Sequence, residues 1–233
     1  MLILLGLTIF LVVFTVRRNE QREVQDVAIF FSDESAPFLT REAVNKLLIV
    51  NSKDNASVAK ENLALSSLEK RIAAHPIIKK ADVYVTMSGK LGVSIEQRKP
   101  IARINGTPSF YMDSSGEQMP LSKNFSAHVP LVSGTNKKDS LQVYQLATFI
   151  RNDAFLMKHI IGITRDRNDE YVLQARKQDY KIILGGVKDL KKRFNNYKAF
   201  YQKALKDKSL NSYKSIVLKY EGQVVCEKKE ESD

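Results

Sequence analysis

The first sixteen residues, MLILLGLTIFLVVFTV, carry no charge. A helix of that length reaches about 24 Å, somewhat short of the ~30 Å thickness of a hydrocarbon core. A signal peptide wants a basic leading region and a small-residue cleavage site. No basic residue precedes Leu2, and the run ends in Thr15-Val16-Arg17-Arg18. A globular helix apolar on every side needs a deep core around it. The run is therefore read as a membrane span over 1–17. Arg17, Arg18 and Arg22 follow it, which by charge bias alone favours the opposite orientation to an exported C-terminal part.

The 233 residues are long enough for one large or two small domains. The segment EVQDVAIFFSD reads as a strand and TREAVNKLL as a helix, with Thr40 as its N-cap and Val44, Leu47 and Leu48 on one face. The polar stretch NSKDNASVAKEN reads as a loop. In SSLEKRIAAHP, Ser66 and Glu69 have capping-box spacing, Leu65, Leu68 and Ile72 share a face, and Pro76 stops the helix. In ADVYVTMSGKLGVSIEQ, Ala81, Val83, Val85 and Met87 alternate with polar residues, Ser88-Gly89 turns the chain, and Leu91, Val93 and Ile95 resume the apolar face. This is strand–helix–helix–strand–strand. Arg98-Lys99-Pro100 then interrupts an extended segment. Proline cannot donate to a sheet ladder, so Pro100 marks an edge, a bend or a junction.

After Pro100 the elements shorten. SFYMDSSGEQM reads as a hairpin turning at Asp113-Ser114-Ser115-Gly116. DSLQVYQLATFIRND reads as an amphipathic helix with Asp139 near its start, and IIGITRD, EYVLQARK and YKIILGG as a three-strand meander. A long helix begins near Val187, its stripe being Val187, Leu190, Phe194, Tyr197, Tyr201 and Leu205. A final strand runs from Ser215 to Cys226, and EKKEESD is a polar tail.

Charge narrows the partners without choosing one. The formal net charge is +11, and 177–214 holds eleven basic residues against three acidic ones, Asp179, Asp189 and Asp207. Such a field attracts nucleic acid, anionic lipid or an acidic protein surface. The aromatics of KDLKKRFNNYKAFYQKALK fall at core-face spacing, so its lysines read as a solvated face rather than a nucleic-acid stripe. Cys226 is the only cysteine, which rules out an intrachain disulfide and a cysteine-based zinc site. No zincin, nucleophile-elbow, P-loop or dinucleotide motif occurs. His75, His128 and His159 are scattered, Gly185-Gly186 reads as a strand-to-helix turn, and Asp166, Asp169 and Glu170 read as a hairpin tip. Catalytic, cofactor and metal residues are accordingly none.

These segments resemble the FtsQ/DivIB-type cell-division proteins. Pro76-Ile77-Ile78, Ala81-Asp82-Val83 and Glu96-Gln97-Arg98-Lys99-Pro100-Ile101-Ala102 are similar to motifs of their POTRA domain. Tyr111, Asp113 and Gly116 resemble the family's aromatic–Asp–x–x–Gly signature, and VPLVSG its segment ending in glycine, here Gly134. KIILGGVKDLKKRFNNYKAFY and IVLKYEGQVV are similar to its late helix and terminal strand. The chain departs from the family pattern at Val217 and Lys219, in having no tryptophan, and in the missing basic residues before the span.

The resemblance implies an α+β chain: transmembrane helix 1–17, a POTRA domain (β-α-α-β-β) over 22–98, a mixed β-rich domain with a long helix and terminal strand over 99–228, and a tail over 229–233. It implies no enzymatic activity, no cofactor and no nucleic acid. The expected role is a bitopic scaffold of the bacterial divisome, anchored in the cytoplasmic membrane with its domains outside, enriched at the septum. It would bind FtsB-like and FtsL-like proteins and help control septal peptidoglycan synthesis. The alternative is a POTRA-containing envelope assembly or secretion factor. Lys219 and Tyr220 resemble a partner-contacting basic–aromatic pair, and Gly222, Val224 and Cys226 complete the expected partner-binding residues.

Overall fold

The computed structural model describes residues 6, 7, 10, 13, 14, 27–49, 62–86 and 90–230. The span expected over 1–17 falls mostly outside them. Its described members are helical and exposed, with the Phe10 and Phe14 rings stacked at 6.1 Å. Among the described residues no helix is long and apolar enough to cross a membrane. The polar loop before residue 62 and the Ser88-Gly89 turn also lie outside the described residues, as do the first residues of the expected opening strand.

The chain divides into two compact units, Met1–Arg98 with Ser122–Ser126, and Lys99–Leu121 with Ala127–Asp233. The boundary falls between two adjacent residues. Arg98 donates its N–H to Ile77 O at 2.8 Å in the first unit, and Lys99 O accepts from Ser114 N at 2.9 Å in the second. Pro100 is buried as the first residue of a strand, a place where its missing N–H is tolerated.

In the first unit, β1 (Val27–Phe31), α1 (Arg41–Ile49), α2 (Asn62–Ala73), β2 (Ile78–Val85) and β3 (Leu91–Gln97) follow in order. The sheet order is β1-β3-β2, with β1 parallel and β2 antiparallel to β3. Alternation turns Ile29, Ala81, Val83, Leu91, Val93 and Ile95 into a core shared with Val44, Leu48 and Ile72 from the helices. Thr40 Oγ1 caps α1 by accepting from Ala43 N at 3.2 Å. Gln97 is buried and satisfied, accepting from Leu39 N at 3.0 Å and donating to Ala36 O at 3.2 Å. Ser122–Ser126 joins this unit through Ser122 Oγ, which donates to Phe38 O at 2.6 Å, and through Phe125, edge-on to Phe38 at 4.9 Å.

One expectation here is overturned. Ser66 and Glu69 form no capping box, because α2 begins a full turn earlier, at Asn62, and Ser66 is an exposed interior residue. The apolar spacing of Leu65, Leu68 and Ile72 already demanded helix before Ser66.

The second unit is a nine-stranded mixed sheet under one layer of helices. Its strands are β4 (Pro100–Ile104), β5 (Phe110–Asp113), β6 (Gln118–Pro120), β7 (Leu131–Ser133), β8 (Ile160–Arg165), β9 (Tyr171–Ala175), β10 (Lys181–Gly185), β11 (Tyr213–Val217) and β12 (Val225–Lys228). Their spatial order is β12-β11-β10-β9-β8-β7-β4-β5-β6. Pairs β4–β7, β7–β8 and β10–β11 are parallel, the rest antiparallel. The crossover from β7 to β8 carries α3 (Ser140–Arg151) and α4 (Ala154–His159), and that from β10 to β11 carries α5 (Leu190–Lys206). Phe149 of α3 stacks on Phe194 of α5 at 5.3 Å, and Phe155 of α4 meets Tyr201 at 5.3 Å, so the three helices form one layer. That layer buries Val132, Ile163, Leu173, Ile182, Leu184 and Ile216.

The expected hairpin turns at Asp113, whose Oδ1 accepts from Ser115 N at 2.8 Å and Glu117 N at 2.9 Å. Gly116 follows at φ +81°, which favours glycine. The meander β8-β9-β10 is present as read. Two details of the long helix differ. It begins at Leu190 rather than near Val187, after Asp189 at φ +53°. Leu205 is 56% exposed while Ala204 is 3% exposed. The buried positions are Phe194, Tyr197 and Ala204, with Tyr201 half-buried beside them. At roughly 100° per residue, Ala204 falls about 20° from Tyr197 around the helix and Leu205 about 80°, toward solvent.

Candidate functional site

The final strand expected from Ser215 to Cys226 is two strands. Ile216 and Val217 continue β11 beside β10, with Ile182 opposite Ile216 and Ile183 opposite Val217. Leu218 is buried, and its N donates to Ile183 O at 2.8 Å. The chain then leaves the sheet through residues 219–224 and returns as β12, antiparallel to β11 with Cys226 opposite Ile216. Gly222, at φ +67°, supplies the left-handed turn residue, and nothing lies within 4 Å of where its Cβ would be.

β12 is the end of the sheet. Its inward groups follow from one hydrogen bond. Lys229 N donates to Ser212 O at 2.8 Å. Backbone groups alternate sides along a strand, so Glu227 and Val225 also point toward β11, and those of Cys226 and Lys228 point to the open edge. Side chains divide as well. Val224 and Cys226 pack against the unit's own core, whereas Val225 is 43% exposed and Glu227 lies on the surface. Burial pushes the Cys226 thiol pKa up, away from reactivity.

The turn brings Lys219 and Tyr220 to the surface beside the β8–β9 turn. Lys219 Nζ donates to Glu170 Oε1 at 3.0 Å and lies 5.7 Å from the Tyr220 ring centre. The hydrogen bond to Glu170, then its charge, raises the Lys219 pKa. Tyr220 is 52% exposed. Glu170 is held by its own turn: Asp166 Oδ1 accepts from Asn168 N and Glu170 N, both at 2.9 Å. Arg165 ties that turn down by pairing with buried Asp139 and with Asp169. Asp166, Asp169 and Glu170, read as a hairpin tip, are thus the acidic neighbour of the expected site.

Gly185-Gly186 is a strand-to-helix turn closed from within. Arg193 Nη1 donates to Leu184 O at 2.7 Å and to Gly186 O at 2.9 Å. A Cβ on Gly185 would lie 2.9 Å from Lys219 Cβ, so the turn and the Lys219 backbone are closely fitted. His159 belongs to the core. Its Nε2 lies 2.6 Å from the Tyr197 hydroxyl, which lies 2.9 Å from that of Tyr180. Burial lowers the His159 pKa to about 4 and raises that of Tyr180 to about 12. Among the described residues no group of three or more His, Cys, Asp or Glu is placed to hold a metal ion.

The family model described as FtsQ/DivIB, C-terminal related, matches residues 99–227. The chain belongs to the FtsQ/DivIB, C-terminal related family. The match begins where the second unit begins and runs into β12, so it spans the nine-stranded sheet of this FtsQ/DivIB-type chain. The chain is also 40% identical over 68 residues to the cell division protein FtsQ of Salinibacter ruber (strain DSM 13855 / M31). That match covers 28% of this chain and 26% of that protein, about a quarter of the relative's length.

Within the FtsQ/DivIB-type unit, Lys219, Tyr220, Gly222, Val224 and Cys226 lie together along the β11–β12 turn and strand. They differ in what they can present: Tyr220 a ring, Cys226 its backbone only, Lys219 a cation already hydrogen-bonded to Glu170. Val225 and Glu227 lie on the same strand but are not among the expected residues. The alternation of QVVCEK contains them, but reading one long strand left no reason to separate inward from outward members.

Proposed function

We propose that this chain is a non-catalytic, single-pass membrane scaffold of bacterial cell division. The apolar run 1–17 anchors it in the cytoplasmic membrane, and the first unit is a POTRA domain. Both units work outside the membrane at the division septum. The second unit captures FtsB-like and FtsL-like partners by accepting a strand on β12, and through them helps control septal peptidoglycan synthesis.

The observation that carries this reading is the edge of β12, where Cys226 and Lys228 direct backbone groups away from β11. Open edges invite another strand, and natural proteins either block or use them. Main-chain hydrogen bonds would supply affinity, and alternate side chains selectivity. Tyr220, exposed beside this edge, has the amphipathic ring that interface hot spots favour.

The test is a fluorescent fusion in dividing cells, paired with co-purification of FtsB-like protein. Midcell signal and partner recovery are the expected results. Uniform envelope signal with no partner recovered would reject the scaffold.

A further inference from the structure

The helices α1 and α2 cover one face of the β1-β3-β2 sheet, and on the other face, among the described residues, Phe30 and Tyr84 are exposed. Register places Ala28, Gly92 and Tyr84 in one row across it, and Phe30, Ser94 and Asp82 in the next. Phe30 is 55% exposed and Tyr84 43%. The strip between them is floored by the small residues Ala28, Gly92 and Ser94. A Cβ on Gly92 would lie 2.4 Å from the Tyr84 ring, so that ring lies flat over the glycine and widens the apolar strip. At its margin the charges neutralise one another, Lys80 pairing with Asp82 at 2.9 Å and Lys79 with Glu96 at 2.8 Å.

The chain position of this face points to its occupant. The apolar run ends at Val16, and β1 begins at Val27. The ten intervening residues reach at most about 34 Å when fully extended. The described members of the run, Leu7, Phe10, Val13 and Phe14, expose apolar side chains on helical backbone. The connecting sequence carries Arg17, Arg18 and Arg22, suited to phosphate headgroups. Phenylalanine and tyrosine on a flat face, with lysine stems at the rim, is the side-chain set that settles at a bilayer–water boundary.

We infer that the open face of the β1-β3-β2 sheet, through Phe30 and Tyr84, lies in the headgroup layer of the membrane that holds the apolar run. This rests on the anchor reading of 1–17. The face acts as a second, weaker contact that keeps the first unit against the bilayer.

The absence of tryptophan gives a clean test, since each Phe, Tyr or Leu to Trp substitution introduces a single reporter. The full chain is placed in nanodiscs of phosphatidylcholine and phosphatidylglycerol, with and without phosphatidylcholine brominated near the headgroup end of its acyl chains. F10W reports the anchor, F30W and Y84W the proposed face, and L205W an exposed position in the second unit. The expected result is quenching by bromolipid and blue-shifted emission for F10W, F30W and Y84W, and neither for L205W. Quenching of F10W alone overturns the membrane-facing sheet and leaves the anchor standing. No quenching of F10W overturns both. Equal quenching of L205W and F30W also overturns the proposal, because the contact is then not particular to this face. F30W and Y84W replace exposed rings, and agreement between them guards against one being misfolded.

Discussion

Lys219 Nζ and Glu170 Oε1 lie 3.0 Å apart, so the cation expected to meet a partner's acid already has one within its own unit. A partner carboxylate would have to share that ammonium or displace Glu170. In the proposed function the outward anchor is therefore Tyr220, which is exposed. Tyr220→Ala is expected to weaken partner binding by about 2 kcal/mol or more. The melting temperature should hold, since the ring is half exposed. Lys219→Ala is expected to cost less binding than Tyr220→Ala, and its cost should shrink further in high salt, widening the gap between them. Titration calorimetry with an FtsB-like peptide at two ionic strengths, alongside thermal melts, checks both.

The alternation along β12 separates two adjacent prolines. Lys228→Pro removes an N–H that faces the open edge, so it should abolish strand addition while the fold survives. Glu227→Pro removes an N–H that faces β11. It should also disturb the side chain that accepts from Lys214 and Ser215, and lower stability by about 1 kcal/mol or more. Denaturant midpoints and peptide affinity for the two variants should move in opposite patterns. Equal loss of fold in both would overturn the assigned directions.

Gly134 closes the VPLVSG segment at φ +72°, and a Cβ there would meet Arg165 O at 2.2 Å. Backbone cannot yield as a side-chain tip can. Gly134→Ala is thus expected to cost about 2 kcal/mol or more. It should also loosen the turn that carries Glu170, because Arg165 pairs with Asp139 and Asp169. Faster amide exchange through 165–170 would report it.

His159 sets a pH dependence with a definite sign. Its folded pKa is about 4 against 6.5 when unfolded, because burial disfavours the cation. Tyr197 faces its Nε2, Phe155 stacks on the ring at 4.7 Å and Tyr201 meets it edge-on at 4.9 Å. Between these pH values the unfolded chain binds more protons. Stability is fully present above about pH 6.5 and falls by about 3 kcal/mol as pH drops toward 4. Melts of the parent and His159→Phe across this window should show a slope that the variant loses.

Much of the fold follows from local pattern. Alternation in ADVYV and LGVSI marks β2 and β3, and Asp113 with Gly116 marks a turn whose chemistry is local. What escaped depended on distant partners. α4 is six residues, too short for a period to show, although Asp153, which accepts from Phe155 N and Leu156 N, is an N-cap signal. The order β8-β7-β4 joins strands far apart in sequence, and nothing local encodes it. SIVLKYEGQVVC alternates well enough to pass for one strand. Gly222 is the one residue in it able to announce a reversal, and only the register of the two strands flanking it shows that the chain turns back there.

The two ends of the nine-stranded sheet are unlike. β6 is three residues long and finishes in Pro120, which has no N–H to offer, while β12 ends in open backbone. A sheet with one receptive margin and one terminated margin has directionality. It can accept a single strand, or meet a second copy of itself around a two-fold axis, but it cannot propagate head to tail into a fibre. Under the proposed function, recruitment at this edge would be saturable at one strand per chain, and the protein would count partners rather than seed their polymerisation.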